Sequence, residues 1–326
     1  MPQRPSAKPF LLLIGLACIA SGCAGPPRVT HVVLAPVADL RAKPGGLSQP
    51  GIHDPFQETQ LLYGEGIHEV KREDGWAYVE AVEQPEYTHH ERWQGYPGWV
   101  IVDLLQPVRQ PPQTNAVIAV PWATVWEHPH AATPRLRLPM GTKVWVTPGA
   151  EELLALRLVD GAAGWVSRGS VTLFAEMARW PESVRRERVV RLAEQFLGEP
   201  YFWGGRSPLD PTSQTATGVD CSGLVNLAYR TAGLSIPRDS HEQRLRARPV
   251  DQPEPADLIF LSEPDRPSKT VHVMLYAGDG WIIEGPGTGL AIRRIRVVDR
   301  LGLPIDALRP GKTVERQTIA FGSYFP

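Results

Sequence analysis

The stretch TGVDCSGLVNLAYR, residues 217–230, decides how the second half of this chain is interpreted. Cys221 stands between Asp220 and Ser222, and helically spaced apolar residues follow it. The pattern predicts a helix that begins at the cysteine. The dipole of a helix N-terminus stabilises a thiolate, so Cys221 is placed where a thiol becomes a nucleophile. A buried structural cysteine is the alternative interpretation.

The first 23 residues predict a bacterial lipoprotein signal peptide. A basic start precedes a short apolar run, which is typical of secretory signals. The run ends in ASGC at 20–23, which resembles a lipobox, where the cysteine is acylated. An uncleaved membrane anchor is the alternative. The resemblance implies a lipid anchor on Cys23 and, because Ala24 follows, a location at the periplasmic face of the outer membrane.

The chain has three cysteines, Cys18, Cys23 and Cys221. Cleavage at the lipobox would remove the first and acylate the second. Cys221 would then have no disulfide partner in an oxidising compartment, which favours a chemical role. The formal net charge of -1 argues against a nucleic-acid partner.

Two blocks of similar pattern precede the cysteine, residues 24–108 and 113–176. Each consists of short alternating runs separated by turn residues, which predicts strands. Both blocks end in Gly-Trp-Val, at 98–100 and 164–166, and a proline pair separates them. The repeat predicts two small all-β barrels in tandem, and the blocks resemble bacterial SH3-like domains.

Residues 180–326 change in character. Helical patterns at 182–198 and 220–234 are followed by strand-like runs at 255–262, 269–280, 281–287 and 290–300. Helices that precede a set of antiparallel strands predict an α+β domain.

Two residues in these strands complete a possible catalytic group. His272 starts an apolar strand and is the best candidate for the base that a cysteine nucleophile needs. Glu284 ends the next apolar strand, where a carboxylate could orient the imidazole. A satisfied core histidine and an exposed strand-end charge are the alternatives. Nothing resembles a metal-ligand cluster, so no metal or cofactor is expected.

Five motifs in this half of the chain occur in the order of the NlpC family, papain-like cysteine peptidases that cleave peptidoglycan stem peptides. They are LGEPYFWGG at 197–205, DCSGLV at 220–225, PRDS at 237–240, ADLIF at 256–260 and HVMLYAGDGWII at 272–283.

The resemblance implies an α+β papain-like catalytic domain behind the two barrels. It makes Cys221 the nucleophile, His272 the base and the backbone N–H of Cys221 an oxyanion donor. The third catalytic position of the family is most often histidine, where Glu284 stands here, and Ala256 replaces a usual glycine.

The first barrel sharpens the resemblance. QETQLLYGE at 57–65 and GYPGWV at 95–100 resemble the subgroup of γ-D-glutamyl-L-diamino acid endopeptidases, or dipeptidyl-peptidase VI. These enzymes cleave the γ-D-glutamyl-diaminopimelate bond of peptidoglycan-derived peptides that have a free N-terminal L-alanine. The resemblance implies an amine pocket of Asp220, Ser222, Asp239, Ser240, Tyr96 and Glu58, with Tyr201 and Trp203 as walls of the cleft.

Other roles stay open for these residues. Asp220 could be a helix N-cap, Asp239 a turn residue and Tyr96 a surface aromatic of the barrel, while Tyr201 and Trp203 could belong to the core. Three further functions stay open too: an endopeptidase on intact peptidoglycan, a catalytically degenerate cell-wall-binding lipoprotein, and a thiol acyl transferase.

Overall fold

The computed structural model describes residues 28–46, 48–49, 51–149, 152–213 and 215–326. The predicted signal peptide, the lipobox and the lipidation site Cys23 lie outside the described residues. Within these ranges no helix is both long and apolar enough to cross a bilayer. The described chain folds into two all-β units followed by an α+β domain.

The first all-β unit is a seven-stranded antiparallel sheet in the order β3-β2-β6-β5-β4-β1-β7. Each strand contributes at least one buried apolar side chain to a common core, among them Leu61 on β3 at one edge of the sheet and Leu105 on β7 at the other. The strands are β1 (His31–Val33), β2 (Val37–Arg41), β3 (Gln57–Leu62), β4 (Gly66–Glu73), β5 (Trp76–Glu86), β6 (Gln94–Ile101) and β7 (Leu105–Pro107).

The second all-β unit repeats the first strand by strand, in the order β10-β9-β13-β12-β11-β8-β14. The predicted tandem repeat is therefore confirmed at the level of topology. Tyr63 of the first unit enters the core of the second, where its hydroxyl accepts a 2.9 Å hydrogen bond from the Val159 N–H. The strands are β8 (Ala116–Ile118), β9 (Trp122–Trp126), β10 (Pro134–Pro139), β11 (Lys143–Pro148), β12 (Leu153–Arg157), β13 (Ala163–Ser167) and β14 (Val171–Leu173).

The α+β domain is built on an antiparallel sheet in the order β17-β23-β18-β19-β20-β21, and β22 pairs with β23. Its helices are α1 (Phe174–Met177), α2 (Glu182–Glu194), α3 (Cys221–Thr231), α4 (Ser240–Arg246) and α5 (Val297–Leu301). Its strands are β15 (Arg206–Ser207), β16 (Gly218–Val219), β17 (Arg248–Pro249), β18 (Leu258–Glu263), β19 (Arg266–Gly278), β20 (Trp281–Glu284), β21 (Arg293–Arg296), β22 (Thr313–Val314) and β23 (Gln317–Ser323).

Helix α3 is buried along its whole length and packs against β19, so that its first residue faces the sheet. This arrangement confirms the predicted fold class. One predicted element was wrong: the strand expected over 290–300 ends at Arg296 and continues as α5. Val297 and Leu301 are both buried while Asp299 between them is exposed, a pattern that fits one face of a helix and not the alternating faces of a strand.

The barrels and the α+β domain form one packed body. Val37 and Leu62 of the first barrel and Met140 of the second join the hydrophobic core around α3. Beside this core the Glu65 carboxylate lies 2.9 Å from Arg206 and 3.0 Å from Arg230. All three side chains are at most 7% exposed, so the first barrel is tied to the α+β domain by a buried ionic network.

Candidate active site

Helix α3 begins at Cys221 because Asp220 caps it. The Asp220 carboxylate accepts a 2.6 Å hydrogen bond from the Gly223 N–H, which is the usual action of an N-cap aspartate. Gly223 is required here, since a Cβ on it would lie 2.1 Å from the Gly205 carbonyl oxygen. Cys221 is 8% exposed, and its backbone N–H is one of the first-turn amides that have no acceptor within the helix.

The structure brings Cys221, His272 and Glu284 together. His272 Nε2 lies 2.9 Å from Glu284 Oε2, and the Cys221 side chain lies close enough to the ring to affect its charge. Burial alone lowers the pKa of His272, but the hydrogen bonds with Cys221 and Glu284 outweigh it and raise the pKa to about 9. His272 is therefore poised as an imidazolium beside the thiol, the ion pair that a cysteine peptidase uses.

Glu284 is a buried carboxylate and not an exposed strand-end charge, since its side chain has 0% exposure. Arg293 donates two hydrogen bonds to its Oε1, at 2.9 and 2.6 Å, and Arg300 donates one to its Oε2 at 3.3 Å. Burial raises the pKa of Glu284, but His272 and the two guanidinium groups lower it to about 2. Glu284 is therefore an anion whenever the protein is folded near neutral pH.

Tyr96 links the first barrel to the α+β domain at the other end of this site. Its hydroxyl donates a 2.8 Å hydrogen bond to Asp239, the residue before α4, and lies 3.2 Å from the Glu58 carboxylate. Desolvation in the cleft raises the pKa of Asp239, although 38% of this side chain still meets water and moderates the effect. The structure thus places three of the residues predicted for the amine pocket in direct contact.

Asp220 binds several partners besides the N-cap amide. Arg238, which has 0% exposure, donates to Asp220 at 3.1 and 2.8 Å and to Ser222 at 2.8 Å. The Asp220 carboxylate also accepts hydrogen bonds from the backbone N–H groups of Gly204 and Gly223. Asp220 therefore caps α3 and also pairs with Arg238, and its carboxylate is less exposed than those of Asp239 and Glu58.

His89 lies beside this pocket and was passed over in the sequence, where its surroundings are turn-like. Its ring packs edge-on against Tyr96 at 5.2 Å, with Nε2 3.6 Å from Glu58 and Nδ1 3.1 Å from Glu86. The hydrogen bonds with Glu58 and Glu86 raise the pKa of His89 to about 10. His89 is therefore a cation that holds Glu58 in place.

The remaining predicted residues surround the nucleophile in different ways. Ser240 is the first residue of α4 and is 8% exposed. Tyr201 is 6% exposed, and burial followed by the charges of Cys221 and Asp220 raises its pKa. Trp203 is 41% exposed and packs on His53 of the first barrel, with the two ring centroids 4.6 Å apart.

Four side chains of the site were missed from the sequence: His89, Arg238, Arg293 and Arg300. Arg238 stands in the PRDS motif that was singled out, and an arginine between a proline and an aspartate was the available signal. Among the residues described, no cluster of three His, Cys, Asp or Glu side chains is arranged to hold a metal ion.

Comparison with known proteins gives a family to this site. The NlpC/P60 family model matches residues 198–299, which include Cys221, His272 and Glu284. A γ-D-glutamyl-L-lysine dipeptidyl-peptidase of Bacillus cereus is 27% identical over 237 residues, which cover 70% of this chain and 67% of that protein. The protein of the same name from Bacillus subtilis is 26% identical over 261 residues, 76% of this chain and 78% of that protein.

The fold has a close counterpart among solved structures. An NlpC/P60 family protein from Bacillus cereus superposes with a TM-score of 0.73 at 22% identity, and the match covers 91% of this chain and 100% of that one. The shared fold therefore extends through the barrels as well as the catalytic part. Behind two all-β units, this chain carries a cysteine-peptidase domain of the NlpC/P60 family.

Proposed function

We propose that this protein is a γ-D-glutamyl-L-diamino acid endopeptidase that acts on peptidoglycan-derived peptides with a free N-terminal L-alanine. The observation that carries the proposal is the 2.8 Å hydrogen bond between Tyr96 and Asp239. Through this contact the barrel closes one end of the cleft beside Cys221. A closed end favours a short peptide that terminates there over a continuous, crosslinked strand.

The charge of the closed end favours a cation. Glu58, Asp220 and Asp239 converge on it, whereas Arg238 and His89 are the cations that face them. Three carboxylates face two cations. The side chains of Asp239 and Glu58 are 38% and 21% exposed. The ammonium group of an N-terminal alanine would form charge-assisted hydrogen bonds to their oxygens.

In the first chemical step the Cys221 thiolate attacks the γ-carbonyl carbon of D-glutamate. The C–S bond forms as the C=O π bond opens to an oxyanion, which the first-turn N–H groups of α3 can receive. His272 then gives its proton to the amine of the diamino acid, the C–N bond breaks, and a thioester remains on Cys221.

In the second step water replaces the thiol. Neutral His272 takes a proton from the water as its oxygen attacks the thioester carbon. The C–S bond breaks, and the dipeptide L-Ala-D-Glu leaves as the γ-carboxylic acid, which then releases its remaining proton to bulk water. The imidazolium–thiolate pair is thereby restored, with Glu284 holding the ring throughout by its bond to Nε2.

The names of the relatives support this proposal, since both are dipeptidyl-peptidases of a γ-D-glutamyl-L-lysine bond. The test is incubation of L-Ala-γ-D-Glu tripeptides, ending in meso-diaminopimelate or L-lysine, with the wild type and with Cys221→Ala. We expect mass spectrometry to show L-Ala-D-Glu with the wild type alone, and little product from N-acetylated tripeptides. Equal cleavage of free and acetylated peptides would contradict the amine pocket.

Failure to cleave either tripeptide would contradict the proposal as a whole. Release of soluble fragments from whole sacculi in that case would identify intact peptidoglycan as the substrate. A protein inert on both would be the wall-binding protein with a degenerate site.

We also propose that Cys23 carries a lipid anchor and that the enzyme works at the periplasmic face of the outer membrane. The lipobox-like ASGC at 20–23 and Ala24 after it support this placement. Metabolic labelling with a fatty acid should mark the wild type but not Cys23→Ala, and membrane fractionation should find the wild type in the outer membrane. An unlabelled wild type would refute the anchor.

A further inference from the structure

Glu284 is held by more positive charge than a histidine partner needs. Its side chain has 0% exposure, and three groups bind its two oxygens: His272 at 2.9 Å, Arg293 at 2.6 Å and Arg300 at 3.3 Å. A carboxylate that only oriented the imidazole would need one of these contacts. Orientation of His272 therefore does not account for the two arginines.

The sheet register explains how Arg293 reaches this position. Glu284 on β20 and Arg293 on β21 are directly opposite each other in the antiparallel pair, where side chains lie on the same face. Both guanidinium nitrogens that bond Glu284 contact the same oxygen, Oε1. Oε2 is thereby left for the imidazole.

Arg300 comes from a different element. It lies on α5, the short helix that replaces the continuation of β21, and its Nε contacts Oε2 of Glu284. Without this helix the chain after Arg296 would run on as a strand, and Arg300 would leave the site. The turn into α5 thus completes the set of contacts around the carboxylate.

We propose that Arg293 and Arg300 are positioning residues that hold the Glu284 carboxylate and set the charge sensed by the Cys221–His272 pair. The inference rests on the proposed peptidase function of that pair. A buried carboxylate without compensation would either take up a proton or bind the imidazolium too strongly. With the two arginines it stays ionised while its field at His272 is moderated.

The charged and titratable groups around the pair come from several elements. Cys221 and Asp220 lie at the start of α3, Tyr201 packs beside Cys221, and Arg238 is paired with Asp220. On the side of the sheet, Glu284, Arg293 and Arg300 face His272. Within the described part of the chain, Arg293 and Arg300 supply the guanidinium groups that contact Glu284, beside the His272 ring.

Removing a positive charge from this group raises the pKa of each neighbour. The thiol of Cys221 then loses its proton at higher pH, and the imidazolium of His272 keeps its proton to higher pH. An opposite charge at close range shifts a pKa by about one to three units. Arg293 is 41% exposed and Arg300 22%, and solvent screens part of the effect, so a shift of about one pH unit is expected for each.

The experiment measures the rate at which iodoacetamide alkylates Cys221 as a function of pH, read by mass spectrometry of the peptide that contains this residue. The full chain is used, and the peptide assignment separates Cys221 from Cys18 and Cys23. Arg293→Gln and Arg300→Gln should each move the midpoint of the thiolate titration upwards. The alkaline limb of kcat/KM on the tripeptide should move in the same direction.

Arg294→Gln is the matched control. Arg294 is the next residue along the strand, is 42% exposed and contacts Glu194 on the other face of the sheet. Arg294→Gln should leave the midpoint of the thiolate titration and the alkaline limb of kcat/KM where they are in the wild type. Midpoints of Arg293→Gln and Arg300→Gln that coincide with that of Arg294→Gln would overturn the proposal.

Two further variants separate charge from structure. Arg293→Lys keeps the charge but loses the two-pronged contact, so its midpoint should stay near the wild type while kcat falls. Glu284→Gln should move the midpoint downwards, and adding Arg293→Gln should return it towards the wild type, because the two changes remove opposite charges. If the double variant has the same midpoint as Glu284→Gln, the charge of Arg293 does not influence the Cys221 titration.

Alkylation does not depend on the identity of the peptide substrate. A protein that cleaves neither tripeptide can still show the predicted midpoint shifts. That result would overturn the proposed substrate and support the positioning role of the two arginines. A protein that cleaves the tripeptide but shows no midpoint shift in the arginine variants would support the proposed substrate and overturn the positioning role.

Discussion

Tyr96 and Asp239 lie 143 residues apart in the chain and are joined by a 2.8 Å hydrogen bond between the first barrel and the α+β domain. Tyr96 belongs to the barrel and is 3% exposed, whereas Asp239 precedes a helix of the catalytic domain. The pocket proposed for the substrate amine is thus built from two units, and neither unit alone contains all of its residues.

Replacement of Tyr96 by phenylalanine tests this shared pocket. The ring stays, but the hydroxyl that orients Asp239 and Glu58 is lost, so KM for the free-amine tripeptide should rise about tenfold, the usual loss for a hydrogen bond to a charged group. Little change is expected in kcat, because Cys221 is untouched. Tyr78→Phe, on the same sheet with its ring against Trp99 at 5.3 Å, is the control. An equal loss on the N-acetylated peptide would argue against the pocket.

The pH dependence of the reaction should carry the signature of His272. Its pKa is raised to about 9, so the imidazolium that protonates the leaving amine persists through neutral pH and is lost as the pH rises through about 9. The alkaline limb of kcat/KM should therefore lie near pH 9. A limb near the ordinary histidine value of 6.5 would show that the contacts with Cys221 and Glu284 do not hold in solution.

The same group links pH to stability. A pKa raised on folding means that the folded state binds the proton more tightly, so the stabilisation from His272 is complete below pH 6.5 and is lost as the pH rises through about 9. The advantage of the wild type over His272→Gln in free energy of unfolding should shrink across this window. Urea denaturation at a series of pH values measures it, and an advantage that grows with pH would contradict the assignment.

The buried network at the domain junction should dominate the response to mutation there. Glu65→Gln leaves Arg206 and Arg230, which are at most 7% exposed, without their shared carboxylate. The expected loss is about 3–5 kcal/mol of unfolding free energy, the usual cost of breaking a buried ion pair. Glu73→Gln, which removes an exposed contact to Lys71 at 3.7 Å, should cost at most about 1 kcal/mol. Chemical denaturation compares the two, and similar losses would refute the difference.

Gly223→Ala tests the packing of the nucleophile helix. A Cβ on Gly223 would lie 2.1 Å from the Gly205 carbonyl oxygen, and backbone cannot yield as a side chain does. The start of α3 should shift, with a loss of about 2 kcal/mol or more in stability and of most of the activity. Gly169→Ala, whose Cβ would meet only Ser167 at 3.8 Å, is the control. Wild-type kcat in Gly223→Ala would show that the contact is relaxed.

Local patterns in the sequence were sufficient for the elements and for the repeat. The alternation in the two β blocks predicted strands because the side-chain period of a strand is two, and their common closing motif predicted two copies of one topology. The predicted strand over 290–300 failed because the apolar residues Val297 and Leu301 fit both periods in so short a run.

The roles of polar residues were less predictable. Asp220 was predicted for the amine pocket with a helix N-cap as its other role, and nothing in the sequence indicated its ion pair with the fully buried guanidinium of Arg238. His89 lies in a polar stretch with Glu86 three residues before it, and its second partner, Glu58, comes from a distant strand of the barrel. Hydrogen-bond partners that come from distant elements leave no local pattern.

By itself the sequence determined the order of the domains, the helix that carries Cys221, and the strands that carry His272 and Glu284. These depend on the spacing of residues near one another in the chain, which the backbone converts directly into faces and ends of elements. Only the tertiary structure decided that Glu284 is a buried anion between two arginines, and that the Tyr96 hydroxyl donates its hydrogen bond to Asp239. The charge on a side chain is set by its burial and by the groups packed around it, and these are fixed only when distant segments come together.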